Sequence, residues 1–194
     1  MSHSFKIIAL SAASLLLVQG CKTPATYVES NSPQTIVSLD KINTQDWAQA
    51  ADQMIISLLS SNVLARDPNT PTIMAVSRIV NNTTQLVDTN LLTKKIRVAL
   101  NQSGKVLTTS VIGPGGQAED ELARELAAEY NYPPAARPYF TLSGRIIEDR
   151  ASAGSTKQVA YIFQMSLTEI NTGLAVWEDE KTITKQGERN AVGW

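Results

Sequence analysis

The apolar positions of this chain change period several times, and each change predicts an element. From Trp47 they recur at steps of three and four, through Ala51, Met54, Ile55, Leu58 and Leu59. That spacing lines one face of an α-helix, here over roughly residues 44–61. Asn43 or Thr44 is suited to cap it, and Asp46 sits in the first turn, where a carboxylate complements the helix dipole. A short strand over residues 36–39 precedes this helix. Residues 72–80, TIMAVSRIV, are rich in β-branched side chains and apolar on both faces apart from Ser77 and Arg78, which predicts a central strand. Leu92, Ile96, Ala99 and Leu100 predict a second helix over about 89–102, with Gly104 suited to its C-terminal end.

A strand over 105–112 follows, broken by Gly113-Pro114-Gly115-Gly116. A third helix is predicted over 117–131, with Glu119, Asp120 and Glu121 in its first turn and Leu122, Leu126 and Ala127 as its apolar stripe. The period then shortens to two. Strands are predicted over 139–150, 157–170 and 174–185, and Val159, Tyr161, Phe163, Met165 and Leu167 share one face of the second. Asn171-Thr172-Gly173 is a hairpin turn in which Gly173 is free to take positive φ. The fold class is therefore α+β: a mixed, largely antiparallel sheet ending in a three-stranded meander, with about three helices packed on it.

The N-terminus has another character. His3 and Lys6 precede an apolar run of twelve residues, Ile7–Val18, too short to span a bilayer as a helix but suited to a signal peptide. The following Val18-Gln19-Gly20-Cys21 resembles a bacterial lipobox, which makes Cys21 the lipid attachment site. The expected organisation is a signal peptide over 1–20, a lipidated flexible tether over 21–35, and one periplasmic α+β domain over 36–194. The fourteen residues between Cys21 and the domain contain Pro24 and Pro33. Fully extended they reach at most ~50 Å.

Composition then removes whole classes of chemistry. The net charge of −1 carries no basic excess, so nucleic acid is not an expected partner. The single histidine is His3 and the single cysteine is Cys21, so the domain has neither. Disulfides, zinc sites built on His or Cys, and His-dependent triads are excluded with them. The glycine-rich turn at 113–116 lacks the Lys-Ser/Thr that a phosphate loop requires. Glu178 and Glu180 share one side of their strand and Asp179 the other, and two carboxylates without a third ligand read as a charged edge and not as a metal site. No Ser-x-x-Lys spacing of a hydrolase is present. No catalytic residue, cofactor or metal is expected.

The loop NYPPAARP (131–138) and the strand after it bring together Tyr132, Arg137, Tyr139, Arg145 and Arg150, of residue types enriched at interface hot spots. Arg137, Tyr139, Arg145 and Arg150 are the candidate partner-binding residues. Trp194, the last residue, either packs back onto the domain or stands as a contact.

Four segments, VSLDKINTQDW (37–47), LTKKIRVALNQSGK (92–105), RPYFTLSGRI (137–146) and TGLAVWEDEKTITKQG (172–187), together resemble the LpoB-type penicillin-binding protein activators. The resemblance implies a non-catalytic outer-membrane lipoprotein facing the periplasm. It implies docking on a bifunctional class A penicillin-binding protein, whose polymerising and cross-linking activities it stimulates, with the outer-membrane lipid at Cys21 as the second partner. A monomer is expected. The alternative expectation is a structural subunit of another envelope complex, since related domains occur in ring-forming secretion lipoproteins. Some members carry a long proline-rich tether, and this chain departs from them there.

Overall fold

The computed structural model describes residues 25–29, 32–65, 70–110, 120–131, 137–188 and 192–193. The signal, Cys21, the 113–116 turn, Tyr132 and Trp194 lie outside the described residues. The elements run β1 (Val37–Ser38), α1 (Thr44–Ser60), β2 (Thr72–Asn82), α2 (Asn90–Gln102), β3 (Val106–Thr108), α3 (Glu121–Glu129), β4 (Phe140–Ala153), β5 (Thr156–Glu169), β6 (Ala175–Glu188) and β7 (Val192–Gly193).

Five strands form one sheet in the order β3-β2-β4-β5-β6. β2 is parallel to both β3 and β4, whereas β4, β5 and β6 form the antiparallel meander that the two turns predict. The architecture is thus α+β with a mixed sheet, its parallel half carried by helical crossovers and its antiparallel half by hairpins. At the tip of β4–β5, Ala153 pairs with Thr156 around Gly154 at φ +61°, and Gly173 takes φ +71° in the β5–β6 turn, as its sequence predicts. β1 and β7 pair separately, tying the chain end to the start of the domain; no sequence pattern indicated that ribbon.

One face of the sheet carries the core. α1 buries Trp47, Ala51, Met54, Ile55 and Leu58, and α2 buries Leu92, Ile96 and Leu100. They meet Met74, Val76, Ile79, Leu142 and Ile146 from β2 and β4, and all five alternating residues of β5 named above. Trp47 sits edge-on to Phe163, ring centroids 5.8 Å apart. The third helix forms where its caps allow, Asp120 accepting from the Ala123 N–H at 2.9 Å, but α3 buries none of its side chains. No helix among the described residues is long and apolar enough to cross a membrane.

The core face also holds one ion pair. Alternation along β6 puts Lys185 inward opposite Val159. Its ammonium bonds the Asp46 carboxylate and the carbonyls of Lys41 (2.8 Å) and Ser38 (3.3 Å), and lies 5.4 Å from the centre of the Tyr161 ring. Asp46 in turn accepts from the Asn43 N–H at 2.7 Å, which closes the first turn of α1. Burial pushes the Lys185 ammonium below its ordinary value, against the opposing pull of Asp46. The Tyr161 hydroxyl accepts from Gln85 Nε2 at 2.7 Å, and burial raises its pKa to about 12.

Candidate partner-binding face

The opposite face of the sheet is uncovered among the described residues, and its side chains can be read off the registers. At the end nearest the β5–β6 turn, β3 contributes Leu107, paired with Ile73 of β2. The Tyr139 N–H donates to the Ile73 carbonyl at 2.9 Å, and the Tyr139 carbonyl accepts from the Ile170 N–H at 3.0 Å. Leu107, Ile73, Tyr139 and Ile170 therefore form one row across four chain segments. Leu107 is 53% exposed, Tyr139 and Ile170 44% each, and Leu174 in the adjoining turn 63%. Scattered exposed apolar residues are ordinary, but here Leu107, Tyr139 and Ile170, with half-buried Ile73, lie side by side across the sheet and present one apolar strip.

The four candidate residues do not fall on one surface. Tyr139 is in the apolar row, and Arg137 lies two residues before it, exposed. Arg145, on the same face, stands opposite Val80 and Gln164 in the middle of the sheet. Arg150 is elsewhere. It lies on the core-side register of β4, past the end of the core, and its guanidinium bonds Glu148 and, at 3.0 Å, Asp40.

Glu148 is the hub of that cluster. Its side chain is 2% exposed and accepts from the Thr84 N–H at 3.0 Å and the Thr84 hydroxyl as well as from Arg150. Burial raises its pKa, but the bonds to Thr84 and Arg150 together outweigh burial and hold the carboxyl below its ordinary value. Burial likewise disfavours the Arg150 charge, and Glu148 and Asp40 more than restore it. Arg150 thus ties β4 to the β1–α1 loop and positions the fold.

Sequence reasoning named neither Leu107 nor Ile170 as a surface residue, although the alternation that buries Val159 to Leu167 puts Ile170 on the other face; half-buried Ile73 lies in a run that reads as apolar on both faces. The acidic run behaves as alternation predicts: Glu178 and Glu180 stand on the open face of β6, an edge strand. Among the described residues no group of three His, Cys, Asp or Glu is placed to hold a metal ion.

Comparison with solved structures finds several that are similar to this chain over most of the domain. The C-terminal domain of LpoB from Salmonella enterica superposes with a TM-score of 0.46 at 17% identity, over 71% of this chain and 98% of that one. The corresponding Escherichia coli domain gives 0.45 at 16%, with the same coverage. A lipoprotein of Neisseria meningitidis, GNA1162, gives 0.38 at 11%, over 60% of this chain and 84% of that one. No curated protein matches the chain in sequence. The sequence profile of the family described as "Peptidoglycan-synthase activator LpoB" matches residues 46–183, from the first turn of α1 to Ile183 in the second half of β6. A match over that span, holding both the helical half and the meander, makes this chain a member of the LpoB family.

Proposed function

We propose that this protein is a lipid-anchored, non-catalytic activator of a class A penicillin-binding protein. In this reading Cys21 carries the lipid in the outer membrane, residues 22–35 are the tether, and the domain faces the periplasm as a monomer. The observation that carries the docking assignment is the apolar row Leu107–Ile73–Tyr139–Ile170 on the uncovered sheet face, in which Leu107, Tyr139 and Ile170 are exposed and Ile73 is half-buried. Arg137, two residues before Tyr139, supplies a donor beside it, a combination of aromatic anchor and guanidinium that suits a hot spot, and Arg145 stands farther along the same face. Arg150 contributes indirectly, by fixing the end of β4.

Activation needs no chemistry from the domain. A module that binds one conformer of the synthase more tightly than another shifts the population toward it, by as much as the difference in affinity and no more. The test is glycan polymerisation and cross-linking by the class A synthase of the same cell, with and without stoichiometric full chain. The expected result is faster synthesis, and loss of the stimulation with Tyr139→Ala. An unchanged rate with no detectable binding overturns the reading and leaves assembly of another envelope complex as the leading alternative.

A further inference from the structure

The middle of the open face is built differently from its apolar end. Val76 pairs with Leu142 and Ile79 with Gly144, so β2 holds one extra residue against β4. This bulge turns both Ser77 and Arg78 outward, opposite Ser143. Gly144 makes the bulge possible: a Cβ there would meet the Gln164 carbonyl oxygen at 2.7 Å and Ile79 Cδ1 at 3.0 Å.

Two cross-strand rows result. One runs Arg78, Ser143, Ser166, Glu178, and the next Val80, Arg145, Gln164, Glu180. Both begin on a cationic side and end on an anionic one. Ser166 Oγ donates to Glu178 Oε1 at 2.7 Å, and Gln164 Nε2 donates to Glu180 Oε2 at 2.6 Å. Each carboxylate is thereby aimed, with its second oxygen left over. Arg78 and Arg145 form no ion pair among the described residues. Together these side chains line a groove of about 880 Å³.

Spacing explains why the charges have not closed on one another. Neighbouring strands lie about 4.8 Å apart, so Arg145 and Glu180 are about 10 Å apart at the backbone, and Arg78 and Glu178 about 14 Å. Across water at that range their attraction is weak. A purely anionic ligand meets the two glutamates, a purely cationic one meets the two arginines, and an apolar one desolvates all four charges without return. The complement is a molecule with both charges and a hydrogen-bonding middle.

We propose that this groove binds a zwitterionic peptide, its carboxylate on the Arg78 and Arg145 guanidiniums and its ammonium on Glu178 and Glu180. A guanidinium takes a carboxylate bidentately, which fixes the peptide's direction. The peptide stems of the cell wall, which carry a free amine and free carboxylates on an unfolded backbone, have this chemistry; choosing them as the ligand rests on the activator reading above.

The probe is a stem tetrapeptide containing a diamino acid, titrated onto the full chain in detergent micelles with no synthase present and followed by calorimetry. Saturable binding is expected. N-acetylation of the side-chain amine, Arg78→Gln and Glu180→Gln should each weaken it about two- to fivefold, the worth of one exposed charge contact. The substituted residues are exposed, and an unchanged melting temperature shows that the fold is intact; Glu178→Gln gives the same readout independently. Undiminished binding of the acetylated peptide or by the variants overturns the proposal, as does no binding at millimolar peptide. A concentration-dependent dimer broken by the same substitutions also overturns it, by assigning the groove to a second copy. None of these outcomes touches the activator reading, which fails only if the polymerisation assay shows no stimulation.

Discussion

The two faces of the sheet use the same strands to opposite ends. On the core face every second residue of β5 from Val159 to Leu167 is buried, and the buried cation Lys185 is matched by a carboxylate and two carbonyls. On the open face Ile162, Gln164 and Ser166, which lie between them, are half-buried, and Arg78 and Arg145 are exposed with no anionic partner among the described residues. Burying a charge is costly unless it is paired, so the core face has settled its electrostatics within the chain. The open face has left them unsettled. In the proposed reading, stability and recognition are separated by the two-residue period of a strand, and a substitution's effect should follow the face on which it lies.

The largest stability loss should come from the core face. Lys185→Ala leaves Asp46 buried without its cation and should cost about 3–5 kcal/mol, read as a lower denaturant midpoint. Replacing both partners, Lys185→Met with Asp46→Leu, should recover most of that loss, because no orphaned charge remains. If the single change costs nothing, the ion pair does not tie β6 to α1 as described.

Next is the backbone contact between the faces. Gly144→Ala forces a Cβ against the Gln164 carbonyl oxygen and should destabilise by about 2 kcal/mol, seen as a fall in melting temperature.

Glu148→Gln should cost about 1.5 kcal/mol at neutral pH, since it weakens charge-assisted bonds to Thr84 and Arg150. The folded carboxyl sits below its ordinary value of 4.5. Its contribution is therefore complete above that value and is lost as pH falls through the lower, folded one. The wild-type chain should lose stability more steeply than Glu148→Gln on acidification through that window, and equal slopes would remove Glu148 from the account.

The smallest stability effect belongs to the open face. Tyr139→Ala should change unfolding by no more than about 0.5 kcal/mol. If Tyr139 proves as costly as a core residue, the two faces are not separated.

Much of this contrast was legible beforehand. Helix periodicity placed α1 and α2 within a residue or two of Thr44–Ser60 and Asn90–Gln102, and alternation named the buried side of β5. Alternation carried on through β6 also points Lys185 inward, a signal that was there to be used. Two things were hidden. The parallel pairing of β2 with β3 and β4 depends on tertiary contacts that no local pattern encodes. The bulge at Ser77 and Arg78 shows in sequence only as two polar residues in an apolar run. The partition of Arg145 and Arg150 followed from counting: five positions apart on one strand, they must point to opposite faces. Residue type suggested an interface, but parity decided which arginine could join it.

The central claim is that the open face recognises the synthase while the rest of the domain supports it. The direct measurement is stimulation of the class A synthase by two full-length variants, Tyr139→Asp in the apolar row and Asp52→Lys on the exposed side of α1. The account predicts that Tyr139→Asp abolishes stimulation with its melting temperature unchanged, and that Asp52→Lys stimulates like the wild type. Full stimulation by Tyr139→Asp, or its loss in Asp52→Lys, would contradict the claim and move the docking surface off the open sheet.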